Sequence, residues 1–292
     1  MSALLTPAAP RLPDDLLASV DRALAEDVGT GDVTAQLVPA GQTMQARVIA
    51  REAAVLCGRP WVDAVFQRLD PSIRIDWRVE EGASVEADQT LCVLQGPARA
   101  LLTGERPALN FLQTLSGTAT AVRAFVDQVQ GTGCRIADTR KTLPGLRNGQ
   151  KYAVLWGGGI NHRIGLYDGF LIKENHIAAA GGIAQAIANA RALGFGVPLM
   201  TEAEDLDEAR TAIAEDVDLL LIDDFTHEMI RESVALVRAH RAAGGKTVLE
   251  YSGGATLQTV RAIAELGVDR IAVGAITKHL HATDLSMRFI EV

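Results

Sequence analysis

The chain has 292 residues, of which 48% are hydrophobic, so it is long enough to form one full barrel or two ordinary domains. A formal net charge of −8 and an aromatic content of 4% argue against a nucleic-acid surface, which needs a basic field and rings for base stacking. No apolar run approaches the roughly 20 residues of a membrane span, and the first residues lack the pattern of a signal peptide. The expected protein is globular and binds a small ligand.

Three cysteines stand far apart in the sequence, at Cys57, Cys92 and Cys134, and form no CxxC pair. The spacing indicates neither a disulfide framework nor a zinc site. Together with the absence of a targeting pattern, it predicts a cytoplasmic location.

The N-terminal part of the sequence predicts two helices with a strand-rich region between them. Apolar residues recur at helical spacing from residue 14 to residue 27. Residues 45 to 102 contain short strand-like runs separated by turn signals, which indicates a small β-rich domain. A long helical pattern then extends from about residue 104 to residue 130.

Beyond residue 131, short apolar runs alternate with amphipathic or alanine-rich segments. The runs are CRIADT, DGFLIKE, PLMTEAE, DLLLIDD, KTVLEYSGG and DRIAVGA. This alternation is typical of parallel βα units and predicts an α/β barrel of six or seven strands. An open, doubly wound sheet is the alternative, although no GxGxxG motif follows the first strand.

A polar residue or a glycine stands where each predicted strand runs into its loop. These residues are Lys141, Lys173, Glu202, Asp223, Ser252 and Gly274, separated by 32, 29, 21, 29 and 22 residues. Each interval fits one βα unit. We therefore expect these residues to meet at the carboxyl-end face, where barrel enzymes place their chemistry.

Positive charge is concentrated between Gly133 and His176. This stretch holds seven basic and three acidic residues, a charge of +4, so the other 248 residues carry −12. Hydrogen-bond donors and glycines stand among the basic residues, at Thr139, Thr142, Gly145, Gly157 to Gly159, Asn161 and His162. The mixture favours oxyanion binding over the alternative, a solvated helix face.

The last two predicted strands end in glycine-containing turns. One turn is Ser252, Gly253 and Gly254, and the other contains Gly274. Barrels commonly bind phosphate through backbone N–H groups at these two positions, so we expect a phosphate monoester here. Ordinary tight turns are the alternative.

Two carboxylates close adjacent predicted strands. Glu202 and Asp223 are suited to Mg²⁺ that bridges to substrate phosphates, or to ribose hydroxyls. Asp224 is assigned mainly to the N-cap of the following helix. A structural histidine is the usual expectation for His162, but its setting between an asparagine and an arginine in a glycine-rich loop favours anion contact. The context of His176 leaves its role undecided.

Six ordered blocks of sequence resemble the quinolinate phosphoribosyltransferase family over nearly the entire chain. They are EDVGTGDVT at 26–34, ERPALNFLQTLSGTAT at 105–120, TRKTLPGLRNGQKYAV at 139–154, GGGINHR at 157–163, LIKENH at 171–176 and VGAITK at 273–278. The resemblance implies a small N-terminal α/β sandwich domain at 1–115, joined by a C-terminal tail at about 280–292. It also implies an incomplete α/β barrel of the type II phosphoribosyltransferases at 116–279.

The resemblance further implies a reaction and an assembly. Ribose 5-phosphate passes from phosphoribosyl pyrophosphate to the ring nitrogen of quinolinate, and decarboxylation gives nicotinate mononucleotide. Mg²⁺ accompanies phosphoribosyl pyrophosphate, and no organic cofactor is needed. The implied assembly is a homodimer with each active site at the subunit interface.

The resemblance and the residue chemistry together assign the residues to catalytic, substrate-binding and structural roles. Lys141, Lys173, Glu202 and Asp223 are expected to be catalytic, the last two with a possible link to Mg²⁺ through pyrophosphate. The expected substrate-binding residues are Arg106 from the neighbouring subunit, Thr139, Arg140, His162, Arg163, Ser252, Gly253, Gly254 and Gly274. Arg135, Arg147 and Lys151 are expected to have structural or surface roles.

Three positions depart from the family pattern. Met200 and Thr201 stand where an acidic residue and a small apolar one are usual, and Asp224 replaces an asparagine. Met200 is expected to change the polarity around the site. Two rival functions remain: a paralogous phosphoribosyltransferase-like protein with a different acceptor, such as those linked to molybdenum transport, and a non-catalytic barrel that binds a phosphorylated metabolite.

Overall fold

The structure is a computed structural model that describes residues 3–6 and 8–290. These residues form two compact units. A sandwich unit contains residues 9–123 and 143–158 together with the C-terminal segment from 277 onward. A barrel unit contains the N-terminal segment up to residue 8 together with residues 124–142 and 159–276.

Helices and strands follow one another throughout the chain. The helices are α1 (Leu16–Val28), α2 (Arg59–Leu69), α3 (Ala98–Gln128), α4 (Arg147–Trp156), α5 (Glu174–Ala180), α6 (Ile183–Ala192), α7 (Leu206–Ala214), α8 (His227–Ala242), α9 (Val260–Glu265) and α10 (Ala275–Lys278). The strands are β1 (Thr43–Ala50), β2 (Ala54–Val55), β3 (Arg74–Trp77), β4 (Ser84–Val85), β5 (Thr90–Pro97), β6 (Arg135–Ala137), β7 (Phe170–Ile172), β8 (Leu199–Ala203), β9 (Leu219–Asp223), β10 (Val248–Ser252), β11 (Arg270–Ala272) and β12 (Leu285–Ile290). Among the residues that are described, none of these helices has the length and hydropathy needed to cross a membrane.

The sandwich unit is built on a four-stranded antiparallel sheet in the order β12-β1-β5-β3. Ala46 of β1 lies opposite Phe289 of β12 on one side and Leu94 of β5 on the other. Trp61 of α2 and Leu112 of α3 belong to the same buried cluster as Leu94, so helices and sheet share one core. The strand-rich region predicted from the sequence is therefore completed by a strand from the C-terminal part of the chain.

Helix α3 is 31 residues long and begins earlier than the sequence pattern predicts. It starts at Ala98, directly after Pro97 ends β5, whereas the predicted start was about Gly104. The alanine, arginine and leucine residues of the first turns are strong helix formers, which accounts for the difference. Gly104 has a packing role instead, because a Cβ at this position would lie 2.5 Å from the ring of Phe66.

The barrel unit contains six parallel strands in the order β6-β11-β10-β9-β8-β7. Strands β7 to β11 lie side by side in chain order, and β11 pairs with β6. A doubly wound sheet grows in both directions from a switch point, so this sequential order, with β11 next to β6, excludes that alternative. In the described part of the chain β6 and β7 do not pair; Ile160 forms an isolated parallel bridge with Ala137 of β6. The result is the expected incomplete α/β barrel.

A mainly apolar cluster fills the amino-terminal end of the barrel. Leu219 and Val248, the first residues of β9 and β10, pack there with Met200 of β8. Leu4 and Leu5 from the N-terminal 3₁₀ turn pack against the same cluster. Because this end is occupied by packing, chemistry is expected at the opposite, carboxyl end of the strands.

Helix α8 has Thr226 as its N-cap, so the assignment of Asp224 to that role is wrong. Thr226 has an extended backbone, and its side chain accepts the N–H of Met229 at 3.3 Å. Asp224 has a positive φ of 52°. An N-cap residue needs β-region geometry, which Thr226 has and Asp224 lacks. Aspartate and asparagine are among the non-glycine residues that tolerate the left-handed region best. This explains why this chain has aspartate at residue 224, where the family pattern has asparagine.

Candidate active site

Lys173 and Glu202 form an ion pair at the carboxyl ends of β7 and β8. Nζ of Lys173 lies 2.7 Å from Oε2 of Glu202. Glu202 is only 7% exposed, whereas 43% of the Lys173 side chain is exposed. The buried carboxylate therefore anchors an ammonium group that remains accessible to a substrate.

His176 supports the strand end that carries Lys173. Its Nδ1 accepts the backbone N–H of Lys173 at 3.1 Å, at the start of the short helix α5. The structure thus gives His176, which its sequence context left undecided, a local capping contact.

The ends of β9 and β10 are tied together. Asp223 and Ser252 are direct neighbours in the sheet, and the next residue, Asp224, donates its N–H to the carbonyl of Ser252 at 3.1 Å. The hydroxyl of Tyr251 donates to the carbonyl of Gly253 at 2.8 Å. Burial raises the pKa of Tyr251, and the carboxylates of Asp224 and Asp223 raise it further. The two predicted strand-end residues therefore lie on one ordered edge.

Gly253 is required in this edge by both its backbone and its surroundings. Its φ is +147°, and a Cβ at this position would lie 2.8 Å from Oδ1 of Asp224 and from the hydroxyl of Tyr251. A side chain here would displace Asp224 or Tyr251 and with them the turn, so the turn requires glycine at this position.

Gly274, Thr139 and Lys141 come together at the ends of β11 and β6. The hydroxyl of Thr139 accepts the N–H of Lys141 at 3.0 Å. A Cβ at residue 274 would lie 3.1 Å from Cδ of Lys141 and 3.5 Å from Oγ1 of Thr139. Glycine is needed for this close approach, and three predicted site residues are thereby assembled.

Asp138, fully buried directly after β6, anchors the segment that carries His162. One carboxylate oxygen accepts the backbone N–H of His162 at 2.7 Å, and the other accepts the side-chain amide of Asn161 at 2.7 Å. The backbone N–H of Asp138 donates to the carbonyl of Ile160 at 3.1 Å. These bonds hold the chain in the gap between β6 and β7.

Asp168 closes the loop that carries Arg163. Its two carboxylate oxygens accept the backbone N–H groups of Ile164 at 2.7 Å and Gly165 at 3.0 Å. Nη1 of Arg163 donates to the carbonyl of Gly169 at 3.1 Å. The guanidinium group is therefore held by the loop itself.

Arg163 and Arg140 place two positive charges near each other. Burial, and then the charge of Arg140, lower the pKa of the Arg163 guanidinium, and Asp168 opposes this effect. Within the described residues, Nε of Arg163 is buried and makes no hydrogen bond. Nε and a terminal nitrogen form the fork that binds a carboxylate in bidentate fashion, so this arrangement suits an anionic ligand.

The remaining basic residues of the positive stretch lie elsewhere. Arg135 is exposed at the amino-terminal end of β6, away from the strand ends that carry the site. Arg147 and the buried Lys151 are on α4, which belongs to the sandwich unit. Arg106 is exposed on the part of α3 that also belongs to the sandwich unit. The basic residues of the positive stretch are therefore divided between the two units.

Met200 and Thr201, two of the departures from the family pattern, are both buried within β8. Met200 packs with apolar side chains of β9 and β10, and its Cε would lie 2.6 Å from a Cβ at Gly169. Met200 thus contacts the loop that holds Arg163 through an apolar surface.

Four charged residues that contact the predicted site residues, or lie in the barrel wall beside them, were not singled out from sequence. They are Asp138, Asp168, Glu250 and Arg270. Glu250 and Arg270 interrupt apolar strands at positions of inward alternation, and a charge at such a position is a usable signal. Asp138 and Asp168 gave no signal in the sequence. Their carboxylates accept backbone N–H groups that come near them only after folding.

No group of three or more histidine, cysteine, aspartate or glutamate residues in the described ranges is arranged to hold a metal ion. Glu202 is engaged by Lys173, and Asp223 is half-buried at the next strand end. Oxygen donors of this type suit Mg²⁺ only when substrate oxygens complete its coordination.

An incomplete α/β barrel with paired arginines, two lysines and two carboxylates at its strand ends defines a barrel enzyme for anionic, phosphorylated substrates. The quinolinate phosphoribosyl transferase C-terminal domain matches residues 118–288, and the N-terminal domain of the same family matches residues 32–116. The chain belongs to the quinolinate phosphoribosyltransferase family.

Individual relatives agree with this assignment. A nicotinate-nucleotide pyrophosphorylase (carboxylating) of Mycobacterium leprae is 40% identical over 276 residues, which cover 92% of this chain and 95% of that protein. A probable enzyme of the same name from Bacillus subtilis is 40% identical over 263 residues, covering 90% and 89%. The solved structure of the nicotinate-nucleotide pyrophosphorylase from Francisella tularensis has a TM-score of 0.91 and 43% identity, covering 96% of this chain and 98% of that one.

Proposed function

We infer that this protein is a nicotinate-nucleotide pyrophosphorylase (carboxylating) and acts in NAD biosynthesis. It transfers ribose 5-phosphate from phosphoribosyl pyrophosphate to quinolinate and releases pyrophosphate, CO₂ and nicotinate mononucleotide. The observation that carries this inference is the presence of Arg140, His162 and Arg163 in the same unit as the Lys173–Glu202 pair, in a chain of this family.

Quinolinate is a dianion, and we propose that Arg140, His162 and Arg163 bind its two carboxylates. The buried Nε of Arg163 supports this proposal, because a bidentate carboxylate would satisfy it. The repulsion between the two guanidinium groups is relieved by a doubly charged ligand more than by a singly charged one. Selectivity for quinolinate over nicotinate follows.

The transfer step breaks the bond between C1 of the ribose and the pyrophosphate oxygen and forms a bond from C1 to the ring nitrogen. We propose that Lys141 and Lys173 neutralise the departing pyrophosphate, which takes the bonding electron pair. Glu202 keeps Lys173 in place at 2.7 Å. Asp223 is positioned for ribose hydroxyls, and the turns at Ser252, Gly253, Gly254 and Gly274, with Thr139, are proposed to receive the 5-phosphate.

Decarboxylation follows from the product of transfer. Once its nitrogen carries ribose, the ring is cationic, so the carbon that loses CO₂ retains an electron pair next to a positive centre. A proton then completes the new C–H bond. This chemistry requires no organic cofactor.

Mg²⁺ is proposed to enter as part of the phosphoribosyl pyrophosphate substrate. When bound, it supplies positive charge to the pyrophosphate oxygens. Asp223 and Glu202 are the carboxylates that could contact it, because Mg²⁺ is commonly bound by one or two carboxylates together with substrate phosphates.

We propose that the functional unit is a homodimer in which Arg106 completes the quinolinate site of the neighbouring subunit. Arg106 is exposed on α3. Val33 and Leu37, in the N-terminal part of the same unit, are each 84% exposed, which is unusual for large apolar side chains and fits a covered interface.

A cytoplasmic location is proposed on the state of the cysteines. Cys57, Cys92 and Cys134 are all free and buried. Free thiols of this kind are compatible with a reducing compartment.

The proposed reaction is tested by incubating the pure protein with quinolinate, phosphoribosyl pyrophosphate and Mg²⁺. We expect CO₂ and pyrophosphate to be released in equal amounts. Turnover with a different acceptor, and none with quinolinate, would support the paralogue and refute the proposal. Binding of phosphoribosyl pyrophosphate without turnover of any acceptor would support the non-catalytic barrel, which the intact set of Lys141, Lys173, Glu202 and Asp223 argues against.

A further inference from the structure

The barrel interior contains a buried ion pair that the proposed reaction does not use. Glu250 of β10 and Arg270 of β11 are direct neighbours in the sheet, with exposures of 0% and 1%. Oε2 of Glu250 pairs with Nε of Arg270, and Nη1 of Arg270 donates to the carbonyl of Leu4 at 2.9 Å. The arginine is therefore held between a strand and the N-terminal turn.

Stability alone does not account for this pair. Removing two charges from water costs more than packing apolar side chains of similar volume in the same place. The neighbouring inward positions, Leu221 and Val248, are apolar, so this barrel accommodates apolar side chains next to the ion pair. Within the described residues, the second carboxylate oxygen of Glu250, Oε1, is buried and makes no hydrogen bond.

Nε2 of His162 lies 3.7 Å from that oxygen. The other ring nitrogen, Nδ1, accepts the backbone N–H of Arg163 at 2.7 Å. Because Nδ1 uses its lone pair in this bond, the proton of the neutral imidazole is on Nε2, the side that Glu250 faces.

We propose that Glu250 is a positioning residue that sets the tautomer and ring orientation of His162, and that Arg270 and the Leu4 carbonyl hold Glu250 for this purpose. The proposal rests on the proposed place of His162 in the quinolinate site. The neutral imidazole, oriented by Glu250, then holds the backbone N–H of Arg163 on Nδ1, and the positive charge for the dianion comes from Arg140 and Arg163. A negative charge on Glu250 does not repel the substrate strongly, because Arg270 offsets it.

The charges around Glu250 are consistent with this arrangement. Burial raises the pKa of Glu250, Arg270 opposes that effect, and the carboxylates of Asp138 and Glu202 add to it. Asp138 and Glu202 each have their own donors, the backbone of His162 and the ammonium of Lys173. Among these groups, His162 faces Oε1, with Nε2 at 3.7 Å.

The test uses paired substitutions, because Glu250→Leu alone would leave Arg270 buried without a counter-charge. Glu250→Leu with Arg270→Met removes both charges with little change in volume, and such replacements usually preserve folding. Protein labelled with ¹⁵N-histidine reports the tautomer of His162, with His162→Gln used to assign its signals. In the unmodified protein we expect Nε2 to carry the proton and Nδ1 to lack it.

In the paired variant we expect the Nε2–H signal of His162 to shift or to be lost through exchange with water. KM for quinolinate should rise about tenfold, the factor expected for one weakened hydrogen bond. KM for phosphoribosyl pyrophosphate and kcat should stay within about twofold. Glu250→Gln with Arg270→Met keeps a carbonyl oxygen facing Nε2, so it should recover most of the affinity for quinolinate.

Arg241→Met is the matched control, because it also breaks an ion pair in the barrel unit, with Asp269 at the amino-terminal end of β11. It should lower stability and leave the His162 signals unchanged. The proposal is overturned if His162 signals are the same in the unmodified protein and the paired variant, or if KM rises equally for both substrates. Failure of the unmodified protein to turn over quinolinate would instead refute the proposed function, since the tautomer measurement needs no activity.

Discussion

Arg163 shows how a single side chain is prepared for an anion before the anion arrives. Its loop is closed by Asp168, its Nη1 is fixed on Gly169, and Arg140 adds a second positive charge nearby. A planar guanidinium held in this way binds a carboxylate through two parallel bonds, which a lysine ammonium cannot reproduce. The shape of the donor therefore matters as much as its charge.

Arg163→Lys tests this point. The substitution keeps the charge and removes the fork, so we expect KM for quinolinate to rise by roughly tenfold to a hundredfold, as for loss of a charge-assisted hydrogen bond. KM for phosphoribosyl pyrophosphate should change little. Steady-state kinetics with each substrate varied in turn measures both values. Arg135→Lys, at the opposite end of the barrel, is the control, and an equal effect of the two substitutions would contradict the assignment.

At the scale of elements, the ends of the barrel strands do the positioning. Three strand ends are fixed by local bonds: His176 caps the turn after β7, Thr226 caps the helix after β9, and Tyr251 bonds to the turn after β10. Such bonds fix the positions of reactive side chains on short loops.

Thr226→Ala should destabilise the protein by about 1 kcal/mol, because the N-terminal N–H groups of α8 lose their side-chain acceptor. Asp224→Asn should be nearly neutral, since asparagine also tolerates a positive φ and Asp224 is not the cap. Thermal unfolding followed by circular dichroism compares the two variants. A larger loss of melting temperature for Asp224→Asn than for Thr226→Ala would argue against the observed cap.

The strands and helices were largely predictable from sequence, whereas the contacts that complete the site were not. All six apolar runs beyond residue 131 form barrel strands, because alternation of βα units is a local property. The N-cap was misassigned because Asp224 and Thr226 are both good capping residues, and only the left-handed φ of Asp224 separates them. Asp138 binds partners distant in sequence, so no local pattern could identify it, whereas Glu250 is marked only by its charge within an apolar strand and not by its partner.

At the scale of the whole molecule, the proposed dimer divides the site between two chains. Lys141 belongs to the barrel unit and Arg106 to the sandwich unit. If Arg106 serves the neighbouring subunit, a defect in either residue can be offset by a subunit that carries the other defect.

Lys141→Ala and Arg106→Ala should each abolish activity as separate proteins and recover part of it when mixed. Random exchange gives heterodimers with one intact site, so recovery should approach about a quarter of the unmodified activity. The measurement is CO₂ release after incubation of the mixture, with exchange confirmed by mass-tagged subunits. No recovery despite exchange would contradict action of Arg106 across the interface.

Strand β12 has a consequence for the order in which the protein can fold during synthesis. Its residues, 285–290, pair with β1 at residues 45–50, so the first sheet that the ribosome produces lacks one strand until the entire barrel has been made. A nascent chain stalled before residue 285 would therefore expose the β1 edge, with its hydrogen-bonding groups open to other chains. Folding of the sandwich unit is thus tied to the synthesis of β12, although most of the sequence of this unit is translated first.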